Sequence, residues 1–320
     1  MLQTVKDQST DYASFVYEIT AKVKELMGDN YTVRIYKVTK NNSLELDSLV
    51  VLKEGKNFAP NIYLMSYYES YLEGTPIDEL AGRLCSIYRH CAVPFAGENF
   101  TFSYHEMKSY IIYRIVNFDS NLNLLSRIPY VRHLDLAVTF HCLVRNDDEG
   151  IGTIRITNDH IKMWQVSLKD IFTLAVNNTR RLFPPSIRRM DDVIHGMIQD
   201  ELSGSYRDSQ TEELLDQIIT NKTSKKQQKM FILSNKKGIN GASCILYEDV
   251  LRKFADHINS DFYILPSSIH EILLVPYDKN IKKDSLTEMV RDVNRTQVAP
   301  EEVLSDHVYL YSREKNKVLM

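Results

Sequence analysis

The sequence predicts an α+β protein with two folded parts. The first is a mixed helix and antiparallel-sheet domain, and the second is a small antiparallel sheet with helices on one side. Segments with apolar residues at helical spacing alternate along the chain with segments in which apolar and polar residues alternate. A stretch rich in Ser, Thr, Gln and Lys then interrupts this pattern, as linkers do. We therefore predict an N-terminal domain over residues 1–202, a linker over 203–229 and a C-terminal domain over 230–320.

Composition narrows the class of protein. The 320 residues are 43% hydrophobic and 25% charged, and the formal net charge is −3. This balance is typical of a globular protein and gives no general attraction to nucleic acid or to an anionic membrane. The first residues lack the apolar stretch of a secretory signal, and no apolar run approaches the roughly 20 residues of a membrane helix. Four cysteines without CxxC spacing favour reduced, buried thiols, so we expect a cytoplasmic location.

The first 100 residues predict helices around a hairpin. Apolar residues recur at helical spacing from Tyr12 to Met27, and Gly28 ends that helix. Strands over 31–38 and 44–52 follow, joined by a turn at Asn41 and Asn42. A short strand and a helical turn precede Gly74, and Thr75 and Pro76 then start another helix. That helix is expected to bury Ile77, Leu80, Ala81, Leu84, Ile87, Tyr88 and Cys91.

The next hundred residues contain the clearest strand. Residues 109–117 fit either a strand or a helix, whereas residues 132–145 alternate regularly. The apolar face of this strand would carry Leu134, Leu136, Val138, Phe140, Cys142 and Val144, and the polar face His133, Asp135, Thr139 and His141. An antiparallel partner is expected over 151–158. Helices are expected from the Ser167 cap to Asn177 and from about Arg189 to Leu202.

The C-terminal segment predicts strands and two helices in a compact order. Strands are expected over 230–235, 241–247, 261–265, 270–276 and 307–313. Helices are expected around 250–258 and 286–293.

Several of these stretches resemble an uncharacterised family of Firmicutes proteins defined by a domain of unknown function. The resemblance lies in Asn235, in Gly241 and Ala242, in "LPSSIHE" from Leu265 to Glu271, in "VNRTQVAPEEVLSD" from Val293 to Asp306, and in "RHLDLAV" from Arg132 to Val138. It covers most of the chain, and the linker departs most from the family's pattern. The resemblance implies no known reaction, cofactor or catalytic residue.

The "LPSSIHE" stretch contains the residue types of a serine hydrolase. Ser267, Ser268, His270 and Glu271 could supply a nucleophile, a base and an orienting carboxylate. However, adjacent strand residues point to opposite faces, and no Gly-x-Ser-x-Gly elbow is present. Pro266 favours a turn in which the serine hydroxyls bond to nearby backbone. We therefore expect a hairpin with a polar tip, and keep a hydrolase or a ligand-binding turn as alternatives.

Four arginines cluster around a Pro-Pro bend in "TRRLFPPSIRR". Arg180, Arg181, Arg188 and Arg189 fall within ten residues of sequence. Guanidinium groups suit recognition of phosphate or carboxylate, so the cluster predicts contact with an anionic small molecule or a protein partner. The alternative is a solvated loop with local ion pairs. Nucleic acid is not expected, because no basic stripe is interleaved with stacking aromatic residues.

Asn294, Gln297 and Asp306 form a second polar set, which together with the "LPSSIHE" side chains could converge on a ligand. The alternative is helix capping before Pro300 and buried hydrogen bonds. The spacing of His133 and Asp135 suits two members of a metal site but supplies no third ligand, so we predict no metal and no cofactor. The sequence thus favours a non-enzymatic binding or regulatory protein, with a hydrolase near the Leu265–Glu271 turn as the alternative.

Overall fold

A computed structural model describes residues 2–55, 59–90, 102–147, 150–196 and 229–320. The fold is α+β. The strand pairs with a defined residue register are all antiparallel. The chain forms two compact units, a smaller one of residues 1–102 and 144–152 and a larger one of residues 103–143 and 153–320. Within the described residues, no helix combines the length and apolar character needed to cross a membrane.

The smaller unit packs helices on a three-stranded sheet of order β1-β2-β3. The predicted hairpin is confirmed, since β1 and β2 pair antiparallel and Asn42 takes a left-handed conformation in the connection. The core contains Phe15, Ile19 and Leu84, whereas Ile87, predicted to be buried, is 39% exposed. The predicted core residue Cys91 lies outside the described residues. The elements are α1 (Leu2–Met27), β1 (Tyr31–Thr39), β2 (Glu45–Lys53), β3 (Ile62–Tyr63), α2 (Met65–Leu72) and α3 (Ile77–His90).

A four-stranded sheet follows in the chain, and its central strand is β6. The sheet has the order β4-β6-β5, with β7 also paired to β6. Helix α7 begins with the predicted Ser167 cap, which accepts the backbone N–H of Asp170 while the Asp170 carboxylate accepts the N–H of Ser167. The elements are α4 (Tyr104–Met107), β4 (Ile111–Asn117), α5 (Leu122–Leu125), β5 (Tyr130–His133), β6 (Leu136–Asp147), β7 (Gly150–Arg155), α6 (Asn158–Trp164) and α7 (Leu168–Leu182).

The long strand predicted over residues 132–145 is two strands. It breaks at Leu134 and Asp135, which form a tight turn because His133 pairs with Leu136. Leu134 has a φ of 56°, a conformation that is costly for a residue with a β-carbon. The polar face of the predicted strand is covered, since Thr139 and His141 are both buried. β6 is covered on both faces, because residues 136–144 are all buried.

The second sheet has six strands in the order β13-β12-β10-β11-β9-β8. Its first strand in sequence, β8, comes from residues that the sequence assigned to the N-terminal domain. It pairs with β9 over five residue pairs, from Pro185 with Asn235 to Arg189 with Phe231. The compact units thus follow a different division from the predicted one, and residues 203–228 of the predicted linker lie outside the described residues. The remaining elements are β8 (Pro185–Arg189), β9 (Phe231–Asn235), α8 (Glu248–Ile258), β10 (Phe262–Leu265), β11 (Ile272–Pro276), α9 (Lys283–Thr296), β12 (Tyr309–Ser312) and β13 (Lys317–Leu319).

Helices cover both faces of this sheet, which corrects the prediction of helices on one side. Phe254 of α8 contacts the rings of Phe231 and Phe262, each with 5.0 Å between centroids. Leu286 and Val290 of α9 pack instead with Tyr263, the next residue of β10. Successive residues of a strand point to opposite faces, so α8 and α9 lie on opposite sides.

Residues 241–247, predicted as a strand, form a 3₁₀ helix over Gly241–Leu246. Gly241 lies against the sheet so closely that a β-carbon there would be 2.0 Å from Ser234 Oγ and 2.6 Å from His270 O. A glycine is required at this position because two backbone segments meet there.

Gly241→Ala is therefore expected to destabilise the protein by about 1–3 kcal/mol, since the clash involves backbone as well as a side chain. Gly82→Ala is the matched control, because nothing lies within 4 Å of a β-carbon in the middle of α3. It should be neutral or stabilising by up to about 1 kcal/mol. Denaturant unfolding of both variants measures the difference, and equal stability of the two would contradict the close packing at Gly241.

Candidate functional site

A cavity of about 940 Å³ lies at the β8 edge of the six-stranded sheet, and we call it the cationic pocket. Arg180 enters it from the last turn of α7, and Arg188 and Arg189 enter from β8. Lys253 and His257 come from α8, where they are spaced four residues apart and share a helix face. The tertiary fold thus gathers five basic side chains from three elements.

The floor of the cationic pocket is apolar. Phe231 and Phe254 stand edge to face, and Val250 and Ile187 extend the same surface. Ile187 is 37% exposed, so part of this apolar surface is open to a ligand. An apolar lining with a few convergent charged groups is the usual composition of a ligand pocket.

Positive charge exceeds negative charge on the pocket wall. Asp249 accepts from Arg180 at 2.6 Å and from Lys253 at 2.9 Å, so one carboxylate is shared by two cations. These partners hold the pKa of Asp249 below its usual value, the hydrogen bond from Lys253 contributing most. The other oxygen, Asp249 Oδ1, is buried and has no donor among the described residues. Asp249 therefore neutralises part of the positive charge on the pocket wall.

The arginines predicted from the sequence do not all reach this pocket. Arg189 pairs with Asp191 at 3.1 Å, and the Arg188 guanidinium has no ion-pair partner in the described part of the chain. Arg181 does not line the pocket; its Nη2 donates to the backbone oxygen of Ser109 at 2.7 Å. Sequence reasoning missed Lys253 and His257, although their spacing with Asp249 along α8 was visible.

The "LPSSIHE" stretch connects β10 to β11, so the expected hairpin is confirmed. The tip of this hairpin does not extend freely into solvent, because its backbone forms hydrogen bonds with the backbone of residues 302–305. Ile269 N–H donates to Glu302 O at 2.9 Å, and Leu304 N–H donates to Ser267 O at 2.9 Å. Ser268 Oγ accepts the backbone N–H of His270 at 3.1 Å, the local bond that the sequence predicted.

Both ring nitrogens of His270 have partners. Nδ1 accepts the backbone N–H of Asn240 at 3.3 Å, so the proton lies on Nε2, which is 3.1 Å from Glu302 Oε1. A general base needs an unoccupied nitrogen beside the nucleophile, whereas Ser268 Oγ accepts from the backbone N–H of His270. Glu271 is exposed and follows His270 into β11. His270 therefore stabilises the turn through the contacts of its two ring nitrogens.

Asn294, Gln297 and Asp306 do not converge with that turn on a common cavity. Asn294 Nδ2 donates to Ser305 O at 3.0 Å and to Asp306 Oδ1 at 2.7 Å. Gln297 is exposed at the end of α9. None of these side chains lines the cationic pocket. Asn294 and His270 instead hold the 302–306 segment at two points.

Asp135 is the centre of a polar network that the sequence did not predict. Its carboxylate accepts from Ser305 Oγ at 2.6 Å, from His307 Nδ1 at 3.1 Å and from the Tyr309 hydroxyl. Burial, together with the Asp135 charge, raises the pKa of Tyr309, which keeps its hydroxyl protonated as a donor. Across the described ranges, no group of three or more His, Cys, Asp or Glu side chains is placed to hold a metal ion.

Asp135→Asn is expected to lower the free energy of unfolding by about 2–3 kcal/mol. The carboxylate accepts hydrogen bonds on both of its oxygens, whereas the amide has only one acceptor oxygen and its NH₂ group is a donor. Asp306→Asn is the matched control, since Asp306 is exposed and its carboxylate accepts from Asn294. It should cost less than about 1 kcal/mol. Urea unfolding compares the two; a control that loses as much as Asp135→Asn would show that the network is not centred on Asp135.

Ser268→Ala is expected to cost about 0.5–1.5 kcal/mol for its single backbone hydrogen bond. Ser267→Ala should cost less, and neither serine should react with a fluorophosphonate probe. Stoichiometric labelling of Ser267 or Ser268 that disappears in His270→Gln would establish a nucleophile and favour the hydrolase.

Comparison with known proteins identifies the family of the chain. A family model described as a family of unknown function (DUF5688) matches residues 12–313. No curated protein and no solved structure matches the chain. The matched region contains both compact-unit cores, the "LPSSIHE" hairpin, the Asp135 network and the cationic pocket. The chain therefore belongs to this family of unknown function.

Proposed function

We propose that this protein is a non-enzymatic binding protein whose cationic pocket takes an acidic peptide segment of a protein partner. The observation that carries the proposal is a set of basic side chains beside an open apolar floor, among which the Arg188 guanidinium has no ion-pair partner in the described residues. Guanidinium groups bind carboxylates through paired hydrogen bonds, which are stronger than neutral ones.

A peptide also suits the remaining features of the pocket. The apolar surface around Ile187 and Phe231 can accept an aliphatic side chain between acidic residues. A cavity of about 940 Å³ lies at the upper end of the range for ligand pockets, which favours a chain of several residues over a single small anion.

The proposal also places the protein in the cytoplasm. Cys85, Cys142 and Cys244 are buried free thiols, and burial raises the pKa of each, to about 12 for Cys244. Thiols of this kind are inert core residues, as expected of a protein that folds in a reducing compartment.

Arg188→Gln is expected to weaken binding of a fluorescein-labelled hexaglutamate peptide about tenfold or more, because one charge-assisted hydrogen-bonding group is lost. Its melting temperature should not change, since Arg188 has no ion pair to lose in the described structure. Fluorescence anisotropy measures the affinity, which should fall as ionic strength rises. Arg181→Gln should instead lower stability, because it removes the bond to Ser109.

Arg295→Gln is the control for general charge, since Arg295 lies on α9 and is paired with Asp292 outside the pocket. It should bind hexaglutamate as the unaltered protein does, and hexalysine should bind neither protein. Equal affinity of Arg188→Gln and Arg295→Gln would overturn the pocket as the binding site. Competition by free citrate at low concentration would indicate an anionic small molecule as the ligand.

A further inference from the structure

The cationic pocket borders a strand whose outer edge is open in the described part of the chain. β8 is the last strand of the six-stranded sheet, and among the described strands it pairs only with β9. Pro185, Ile187, Arg188 and Arg189 of β8 line the pocket, so the pocket reaches this edge of the sheet. Burial falls along the strand, since its first two residues are half-buried and its last three are exposed.

The hydrogen bonds at the two ends of β8 show which of its backbone groups face outward. Pro184 O accepts from Lys236 N–H at 3.0 Å. Met190 N–H donates to Met230 O, also at 3.0 Å. Directly opposite residues of an antiparallel pair alternate between hydrogen-bonded and non-hydrogen-bonded pairs. The even-numbered residues of β8 therefore bond to β9, and the odd-numbered residues turn their backbone groups away from it.

Ile187 is the centre of this open edge. Its N–H and its carbonyl both point away from β9, and so does the N–H of Arg189. Neither Ile187 group has a hydrogen-bond partner within the described ranges. Unpaired donors and acceptors along a strand are the template on which another extended chain can pair. Pro185 lacks an N–H, so pairing of this kind begins after it.

Basic side chains restrict which extended chain can pair with this edge. Arg188 and Arg189 are successive residues of β8, so they point to opposite faces of the sheet. A strand added beside β8 would have a guanidinium group next to it on each face. Like charge would repel a basic strand, whereas acidic side chains would lie close to both arginines. The edge is therefore protected against indiscriminate pairing and open to an acidic segment.

The apolar floor of the pocket suits alternate side chains of such a strand. Ile187 pairs in register with Leu233, and Arg189 pairs with Phe231. Phe231 contacts Phe254 of α8, so these β8 and β9 side chains lie on the face that α8 covers. Ile187 is 37% exposed on this face, beside the open edge. An aliphatic side chain of an added strand would pack against it.

We propose that the acidic segment binds as an additional strand along β8, with its backbone hydrogen-bonded to Ile187 and Arg189. This inference rests on the proposed function, since it concerns the same pocket, and it adds the conformation of the partner. A helical partner would satisfy its own backbone and leave the Ile187 groups unpaired, whereas an extended partner pairs with them. The partner is thus an extended acidic segment rather than the acidic face of a helix.

Hexaglutamate methylated at its backbone nitrogens tests the main-chain bonds without altering the protein. The methyl groups remove the N–H donors and keep all of the carboxylates, so a site that recognises charge alone would bind both peptides. Fluorescence anisotropy with the full chain should show binding of the methylated peptide weakened about tenfold or more. Equal affinity of the two peptides would overturn strand pairing.

Ile187→Pro tests the same pairing from the protein side. Proline removes the outward N–H of Ile187 and none of the bonds between β8 and β9, and edge strands tolerate proline at such positions. Ile187→Ala is the matched control, because it shortens the side chain and keeps the N–H. Hexaglutamate should bind Ile187→Pro about fivefold to tenfold more weakly than Ile187→Ala. Equal affinity of these two variants would contradict the proposal.

Isotope-edited infrared spectroscopy reports the conformation of the bound peptide directly. With heavy carbon in its carbonyl groups, bound hexaglutamate should show the amide band of a paired β-strand, and a helical or irregular band would overturn the proposal. The two proposals fail separately. If Arg188→Gln binds hexaglutamate as well as the unaltered protein does, the pocket is not the binding site. If Arg188→Gln weakens binding but methylation of the peptide does not, only the strand pairing is wrong.

Discussion

The Asp135 carboxylate is the contact on which the arrangement of the larger unit depends. A buried carboxylate is costly unless donors surround it, and here the donors are Ser305, His307 and Tyr309, at least 170 positions away in sequence. The turn that presents Asp135 puts Leu134 in a left-handed conformation, which costs about 1–2 kcal/mol. That strain is sustained because the turn places Asp135 where β12 begins, so that the four-stranded sheet and the six-stranded sheet are held at one point.

The same constraint fixes the segment around residues 302–306 and explains the polar residues near it. Asn117 donates to Leu304 O, Asn294 donates to Ser305 O, and His270 contacts Glu302. Hydroxyl, imidazole and carboxylate groups in close sequence resemble catalytic residues, but Ser268, His270 and Asn294 each bond to a backbone or side-chain partner. Polar side chains concentrate here because a connection without regular secondary structure must find partners for its backbone groups. The open cationic surface lies elsewhere, in the pocket at the β8 edge of the six-stranded sheet.

Local patterns in the sequence predicted most elements but not their assembly. Helical spacing, the Ser167 capping box and the turn at Asn42 are short-range features, and each was confirmed. The pairing of β8 with β9 was not visible, because their residues are separated by more than 40 positions and nothing local specifies a distant partner. The strand expected at residues 241–247 is a 3₁₀ helix for a similar reason, since the contact of Gly241 with Ser234 and His270 is tertiary. Of the four clustered arginines, three line the cationic pocket, whereas Lys253 and His257 of the same pocket could be found only from the fold.

The ion-pair and hydrogen-bond partners of an arginine indicate whether it has a structural or a binding role. Its proximity to other arginines in the sequence indicates this less well. Arg180, Arg189 and Arg313 contact carboxylates, and Arg181 donates to a backbone oxygen, so their charges are already compensated or used. Arg188 has no such partner in the described residues, and it lies beside further basic groups. The chain as a whole carries a net charge of −3, so its overall charge does not attract anions. The proposed acidic segment would therefore be held by short-range hydrogen bonds to the Arg188 guanidinium, and its affinity should depend on guanidinium geometry more than on the total charge of the protein.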